Sequence, residues 1–420
     1  MAPSKFPFVV AAAALSIWYP SFAADIPQQD TATADAQFFA GHFEGAKMLY
    51  SAVPPTSQKY EEALRRLGAI ALSENRLADA EQELNLALAQ TPTDTKAQSL
   101  MAEIANRRGD FAHAASWLAK AGKPERAAAF AAFGQSQPYR IVSAGGPLRV
   151  PFVQTDPVPA VLAKVNGAEG LFLVDTGGAE IVLDPGFAKS ADVEVTGSGN
   201  GTFASGKTSG LAYGRIAKFT LNSLEVADVP AMLLSTKGFS GAATGKPVAG
   251  VIGTEFLSRF LATIDYPAGA LTLEPSDTSP PAYLIAVPFW LAGDHYIVAR
   301  GKLDSSTDQL FLVDTGLAGF AFTAPASTLK DAAVPIPVPQ ASPSSSEVGQ
   351  SAVAPFAIDA LSLGDLHAKN LTGLYGPFPP SLEAGLGVHL GGIVSHAFFR
   401  PYAVTFDFVH MKIYLRKPST

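Results

Sequence analysis

The 420-residue chain is long enough for two to four domains, and its 48% hydrophobic residues exclude a disordered chain. Its 30 Lys and Arg against 37 Asp and Glu give a net charge of -7 with no basic stripe, so nucleic acid is not expected as a partner. Cysteine is absent, which excludes disulfides, thiolate catalysis and thiolate-bound metals.

The N-terminus has the pattern of a secretory signal. A lone Lys precedes the apolar run 8–18, and small residues end at Ala23, where a signal peptidase would cut. The run is too short for a membrane span of about 20 residues. We therefore predict a signal peptide at 1–23, a periplasmic or secreted mature protein, and no stable membrane span after cleavage.

Residues 27–128 repeat with a period of 34 residues. The recurring positions are the small residues Ala34, Gly68 and Ala102, the small residues Ala46, Ala80 and Ala114, the turn residues Gly41, Asn75 and Gly109, and the apolar residues Phe43, Leu77 and Phe111. Small residues at fixed places allow paired helices to approach closely. The pattern resembles three tetratricopeptide repeats, most clearly in the copy Glu61–Asp94.

This resemblance implies an all-α helical solenoid at 27–133, in which 124–133 forms a capping helix. Such arrays bind peptides or proteins in a concave groove, so a protein partner is expected here. The alternative is that the repeats serve as a spacer or a docking surface for the rest of their own chain.

Beyond a predicted linker at 134–150, β-branched residues alternate with Gly and Pro, which indicates a mainly β region. This region is internally duplicated. The segment 171–177, Leu-Phe-Leu-Val-Asp-Thr-Gly, returns unchanged at 310–316, and the segments 251–257 and 263–266 return 142 residues later at 393–399 and 405–408. We therefore predict two related β lobes, 151–275 and 282–418, on either side of a Pro-rich seam.

Each Asp-Thr-Gly follows four apolar residues typical of a buried strand, and its Gly permits the tight turn that presents the Asp. One such tripeptide would be an ordinary strand-to-turn cap. Two copies in duplicated lobes predict a pair of carboxylates, Asp175 and Asp314.

Residues 146–417 resemble an aspartic peptidase of the pepsin and retropepsin type, with short lobes like those of bacterial retropepsin-like proteins. The resemblance implies an all-β fold of two β-barrel lobes in one chain, so a monomer is expected. It also implies that Thr176 and Thr315 hydrogen-bond across the lobe interface and that Gly177 and Gly316 bring backbone N–H groups to the carboxylates.

Two carboxylates at close range cannot both ionise cheaply, so one holds a proton while the other is charged, and a water can sit between them. The charged member takes a proton from this water as it attacks a peptide carbonyl, and the protonated member supplies one. No metal, cofactor or covalent intermediate is required. The sequence does not indicate whether Asp175 or Asp314 holds the proton.

Two features of lobe 2 depart from the family pattern. Ser395 replaces the Gly found at 253 in lobe 1, and Leu317 follows the second Asp-Thr-Gly, where a small or hydroxylated residue is usual. The substrate-covering flap is expected in the Gly-rich stretch 196–214 with Tyr213 as its aromatic, although a plain edge hairpin is an equal alternative. In lobe 2, the Pro-rich stretch 334–354 is predicted to be an extended loop.

No metal site is expected, because the histidines are scattered without ligand spacing, at His42, His113, His295, His367, His389, His396 and His410. The leading hypothesis is an exported aspartic endopeptidase that acts on polypeptides and recruits them or a protein partner through its repeats. The alternative is a catalytically inactive peptide-binding scaffold with the same fold.

Overall fold

A computed structural model describes residues 16–17, 31–143, 147–203, 208–239, 245–280, 285–338, 353–376, 378 and 380–417. The predicted signal at 1–23 lies outside the described residues, apart from the two-residue strand β1, Ser16–Ile17. That strand pairs with residues 202–203.

The first region is helical. Its seven described helices are α1 Ala32–Phe39, α2 Phe43–Ser51, α3 Tyr60–Ser73, α4 Leu77–Gln90, α5 Thr95–Arg107, α6 Phe111–Lys120 and α7 Pro124–Ala131. The recurrent turn residues Gly41, Asn75 and Gly109 all have positive φ, at 73°, 56° and 73°. A left-handed residue of this kind ends each first helix and directs the chain into the second. The predicted tetratricopeptide-type array of three helix pairs and a further helix is confirmed.

Lobe 1 follows as a β-barrel. Its elements are β2 Arg140–Ser143, β3 Leu148–Pro151, β4 Ala160–Val165, β5 Ala168–Val174, β6 Ile181–Leu183, α8 Pro185–Ser190, β7 Glu194–Phe203, β8 Thr208–Leu221, β9 Leu224–Leu233, a 3-10 turn Lys237–Phe239, β10 Gly250–Ile252, α9 Thr254–Leu257, β11 Phe260–Asp265 and β12 Ala270–Pro275.

Lobe 2 follows a similar order. Its elements are β13 Ile285–Ala292, β14 Tyr296–Leu303, β15 Gln309–Asp314, β16 Phe322–Ala324, α10 Ala326–Asp331, β17 Ala354–Leu363, β18 Leu366–Tyr375, α11 Pro380–Leu386, β19 Gly392–Ser395, α12 His396–Phe399, β20 Ala403–Asp407 and β21 Lys412–Arg416.

The two sequence copies also share the same pairing of their strands. In lobe 1, β10 runs parallel to β5, and in lobe 2, β19 runs parallel to β15. The lobes join where β11 pairs antiparallel with β20. In that ladder Thr263 lies opposite its own counterpart Thr405, so the two copies are related by an approximate two-fold axis. The predicted bilobal β-barrel fold is confirmed.

The segment 134–150, expected as a linker, carries strands of the lobes. Strand β2 pairs with β9 at the edge of lobe 1, and β3 pairs with β12 in the sheet that joins the lobes.

The helical region packs into the lobes rather than standing apart from them. One hydrophobic cluster combines Phe43 and Tyr50 of the first repeat with Trp290 and Leu310 of lobe 2. The rings of Phe43 and Trp290 lie 5.4 Å apart. The carbonyl of Gly41 accepts a hydrogen bond of 2.9 Å from Arg300 Nη1. A second cluster runs from Phe111 of the third repeat and Phe130 of α7 into both lobes. The repeats and the lobes therefore share their hydrophobic cores.

Candidate active site

The two Asp-Thr-Gly loops meet at the lobe interface. Asp175 directly follows strand β5, and Asp314 is the last residue of β15. The Gly177 N–H donates to Asp175 Oδ1 at 2.7 Å, and the Gly316 N–H donates to Asp314 Oδ1 at 2.9 Å. Each carboxylate is thus held by the glycine of its own loop, as the duplicated sequence predicts.

The glycines also permit the two carboxyl groups to meet. A Cβ atom added at Gly316 would lie 2.1 Å from Asp175 Cγ, and one added at Gly177 would lie 2.8 Å from Asp314 Cγ. Each loop therefore presses its glycine against the carboxylate of the other lobe. The two carboxyl groups are therefore close enough for the charge of Asp175 to raise the pKa of Asp314.

The threonines brace the two loops. Thr176 Oγ1 donates to the Val313 carbonyl at 2.9 Å and accepts from the Thr315 N–H at 3.1 Å. Thr315 Oγ1 accepts from the Thr176 N–H at 3.0 Å and donates to the Val174 carbonyl at 3.3 Å. Both threonines are fully buried, so these four bonds cannot exchange with water.

Burial sets the electrostatics of the pair. Asp175 is 4% exposed and Asp314 is 1% exposed. Burial raises the pKa of Asp175, while the Gly177 N–H opposes the rise by stabilising the charged form. Burial together with the negative charge of Asp175 raises the pKa of Asp314 well above its usual range. The pair is therefore suited to holding one proton and one charge near neutral pH.

The candidate flap is present as a hairpin, but its aromatic is covered. Strand β7 pairs over nearly its whole length with residues 208–215 of β8, and residues 204–207 at the tip lie outside the described residues. Tyr213 is only 2% exposed, and the Arg126 guanidinium of α7 stacks over its ring at 4.9 Å. The hairpin glycines Gly197 and Gly199 face the same helix. Helix α7, which follows the third repeat, thus packs against the hairpin.

The structure accommodates both departures of lobe 2. Leu317 packs against the cluster that lobe 2 shares with the first repeat, so a large apolar residue has a partner there. Ser395 is fully buried, and its N–H donates to the Ala321 carbonyl at 3.0 Å. Its lobe 1 counterpart Gly253 has no room for a Cβ, which would lie 2.5 Å from the Glu180 carbonyl oxygen. Most of the lobe 2 loop at 334–354 lies outside the described residues.

A cavity of about 1000 Å³ separates the repeat helices from the lobes. Its repeat side is lined from helices α1, α3 and α5, and its lobe side by Ala179 and Glu180, Met232, and the turn 291–294. Glu180 lies five residues beyond Asp175, so one end of the cavity adjoins the Asp175 loop. The volume is at the upper end of the range for ligand pockets.

No sequence pattern marks Glu180. In the structure its side chain is only 2% exposed and forms an ion pair with Arg126. His295 was counted among the scattered histidines, yet its Nε2 lies 3.4 Å from the Gly177 carbonyl oxygen. An alignment of the two lobes strand by strand could have placed His295 beside the site, but no local motif marks it.

Among the described residues, no three His, Asp or Glu side chains converge as metal ligands. None of the helices in the described part of the chain is long and apolar enough to cross a membrane.

Comparison with known families agrees with this architecture. Residues 161–256 match the family described as aspartyl protease, and residues 40–104 match the family described as tetratricopeptide repeat. No curated protein matches the chain significantly. The aspartyl protease match contains Asp175 and ends in α9, so lobe 2 is linked to it by the duplication. The chain therefore joins tetratricopeptide-type helices to a two-lobed aspartic-peptidase fold.

Proposed function

We propose that this protein is an exported aspartic endopeptidase that hydrolyses peptide bonds with a water activated between Asp175 and Asp314. The observation that carries the proposal is the close approach of these two buried carboxyls, each placed by an Asp-Thr-Gly loop and each pressed against the glycine of the other loop. A purely structural role would not require two buried acids to be in contact, because their mutual repulsion is destabilising.

The charged carboxylate removes a proton from the water as the water attacks the peptide carbonyl carbon, and the protonated carboxyl donates to the developing oxyanion. The two then exchange roles as the amine leaves. The newly protonated member gives its proton to the leaving nitrogen, and the other member takes a proton from a hydroxyl of the tetrahedral intermediate as the C–N bond breaks, so the pair returns to its starting state after each turnover.

Substrate access requires movement, because neither carboxyl is more than 4% exposed. Hairpin β7–β8 is the element proposed to open, and Tyr213 is its aromatic residue. Since Arg126 stacks on that ring, opening would also have to break the contact with the last repeat helix.

The repeats are proposed to recruit a polypeptide. The cavity beside Glu180 supports this role, since a segment held against α1, α3 and α5 would enter the lobes next to the Asp175 loop. Export is proposed from the signal pattern at 1–23. N-terminal sequencing of the protein recovered outside the cytoplasm is expected to begin at Ala24.

The test is cleavage of an unfolded protein and a peptide library between about pH 3 and 8, in the presence of EDTA. Asp175→Asn and Asp314→Asn are each expected to abolish cleavage, and Asp359→Asn, a change on the exposed surface, is the matched control. Full cleavage by both single variants would refute the dyad.

The second candidate is a non-catalytic peptide-binding scaffold. The near-complete burial of both carboxyls favours it, as do Leu317 and Ser395 in lobe 2. It predicts that wild-type protein binds library peptides and cleaves none of them.

A further inference from the structure

The two lobes differ at one position beside the catalytic pair. Strand β4 pairs with β5 so that Ala160 lies opposite Leu173, and β14 pairs with β15 so that Val298 lies opposite Leu312. Leu173 and Leu312 are equivalent in the repeated segments.

Their partners Ala160 and Val298 are therefore equivalent as well, and three residues before each of these, lobe 1 has Pro157 and lobe 2 has His295. The residue before each of them is an aspartate, Asp156 in lobe 1 and Asp294 in lobe 2. Pro157 has no polar side-chain atom and no backbone N–H. The duplication has therefore supplied only lobe 2 with a titratable group at this position.

The surroundings of His295 determine its charge. Its side chain is fully buried, and its two ring nitrogens face Asp294 Oδ1 and the Gly177 carbonyl oxygen. Both of these partners are acceptors. A neutral imidazole carries a single N–H and can satisfy only one of them, whereas an imidazolium donates to both. The hydrogen-bonding pattern thus favours the charged form.

The positive charge lies on the Asp175 side of the pair. His295 contacts the carbonyl of Gly177, and the N–H of that same glycine donates to Asp175 at 2.7 Å. At the corresponding sequence position of lobe 1, Pro157 provides neither a side-chain donor nor a charge. In lobe 2, the buried His396 follows Ser395, the strand partner of Asp314, but burial lowers the pKa of His396 and so favours its neutral form. The two carboxyls, alike in sequence, therefore lie in unlike fields.

We propose that protonated His295, held by Asp294, is a positioning residue that makes Asp175 the ionised member of the pair and Asp314 the protonated one. This inference rests on the proposed function only for its kinetic test. It assigns Asp175 to take the proton from the water and Asp314 to donate to the carbonyl oxygen at the first step.

The direction of each pKa agrees with this arrangement. Burial alone would lower the pKa of His295, but the carboxylate of Asp294 raises it overall. The charge of His295 in turn opposes the rise that burial causes in the pKa of Asp175.

Other charged groups surround the His295–Asp294 pair. They are Glu255 of α9, Arg126 of α7, Lys123 before α7, and Glu103 and Arg107 of α5. Arg107 Nη2 donates to the Asp294 carbonyl at 3.3 Å, and its Nε donates to Glu103 at 2.7 Å. The third repeat thus holds the turn that carries the pair.

The kinetic test compares pH profiles of kcat/KM for wild type, His295→Gln, Asp294→Asn and the double variant. Without the imidazolium, ionised Asp175 loses stabilisation, so the acidic limb should move up by about 1 pH unit. Asp294→Asn should act in the same direction, because His295 then loses the carboxylate that keeps it charged.

The double variant should show about the same shift as either single variant rather than their sum, because each change removes the same charge from His295. It also leaves no buried carboxylate unpaired and so guards against misfolding of His295→Gln. His113→Gln, which breaks an exposed His–Asp pair, is the matched control. Unmoved acidic limbs in folded variants would overturn the inference.

A spectroscopic test is independent of turnover. In protein labelled with 13C at the Asp carboxyls and 15N in the His rings, the first dyad carboxyl to ionise should be Asp175, and the His295 ring should be protonated at pH 5. A neutral ring, or ionisation of Asp314 first, would refute the proposal whether or not peptides are cleaved. A protein that cleaves nothing but shows the expected spectra would support this inference and contradict the endopeptidase.

Discussion

Thr176 and Thr315 each use one hydroxyl to accept the N–H of the other, at 3.1 and 3.0 Å, and to donate to a carbonyl of the opposite lobe, at 2.9 and 3.3 Å. The two residues are 139 positions apart and occupy the same place in the two copies. Each lobe therefore fixes the catalytic loop of the other. Neither loop is expected to hold its carboxylate in place alone.

Thr315→Val should lower kcat at least 100-fold while leaving most of the fold intact. The change leaves the Thr176 N–H without its acceptor and removes the donor to the Val174 carbonyl, at a cost of about 1–3 kcal/mol for each unsatisfied buried group. Peptide cleavage rates and the free energy of unfolding in urea measure the two effects separately.

The control for this change is Thr263→Val. The hydroxyl of Thr263 lies 2.7 Å from that of Thr405 in the sheet that joins the lobes. Thr263 and Thr405 are thus a second pair of equivalent threonines that meet at the approximate two-fold axis. A similar loss of kcat in Thr263→Val and Thr315→Val would show that the effect is one of general stability.

Gly316→Ala should abolish cleavage, because its Cβ would overlap the carboxyl carbon of Asp175 at 2.1 Å and force the pair apart. Gly238→Ala is the matched change, since nothing lies within 4 Å of a Cβ at that position. Activity is measured against a quenched peptide, and folding is measured by circular dichroism. Wild-type activity in Gly316→Ala would contradict the close approach of the two loops.

Arg126→Ala should destabilise the protein by about 3–5 kcal/mol, because it leaves the carboxylate of Glu180 buried without a cation. Adding Glu180→Gln should restore part of the loss, since the remaining buried group is then neutral. Arg108→Ala, in an exposed pair with Glu81, should change the free energy of unfolding by at most about 1 kcal/mol. Equal effects of the two arginine changes would refute the importance of the Arg126 contact.

Glu103→Gln should change how stability depends on pH. Burial, reinforced by the charges of Asp294 and Glu255, raises the pKa of Glu103 from 4.5 to about 7. Between these values the folded protein holds a proton that the unfolded chain has released, so wild-type stability should fall as pH rises through this window.

Across this window the free energy of unfolding should fall by about 3 kcal/mol in the wild type, and this fall should disappear in Glu103→Gln. Urea unfolding at pH 4.5, 6 and 7.5 measures it, with Glu81→Gln on the exposed surface of α4 as the control. Parallel pH dependence in wild type and Glu103→Gln would contradict the buried setting of this carboxyl.

Local pattern in the sequence was sufficient for much of the fold. The period of 34 residues located three helix pairs, because small and turn residues must recur wherever helices cross closely. The repeated Leu-Phe-Leu-Val-Asp-Thr-Gly segment located both catalytic loops, because a buried strand and a tight turn each have a strong compositional signature. The proximity of Asp175 and Asp314 followed from duplication together with the family resemblance.

The sequence left open whether the repeats bind a partner or serve as a spacer or docking surface for their own chain, and only the packing showed that they dock on the lobes. Phe43 is an expected core position of any repeat, but its contact with Trp290 depends on how two regions dock. For the same reason 134–150 could not be recognised as strand-forming, since β2 and β3 gain their hydrogen bonds from β9 and β12 far along the chain.

The sequence by itself determined that this protein has three helical repeats, two copies of one β lobe and one aspartate in each copy at a strand end. The tertiary structure alone decided that helix α7 covers Tyr213 and that His295 contacts the carbonyl of Gly177. Pro157, the counterpart of His295 in lobe 1, has no side-chain donor that could make such a contact. The physical reason is that periodicity records contacts within an element or its neighbours. Contacts between distant segments depend on docking geometry, which leaves no periodic trace.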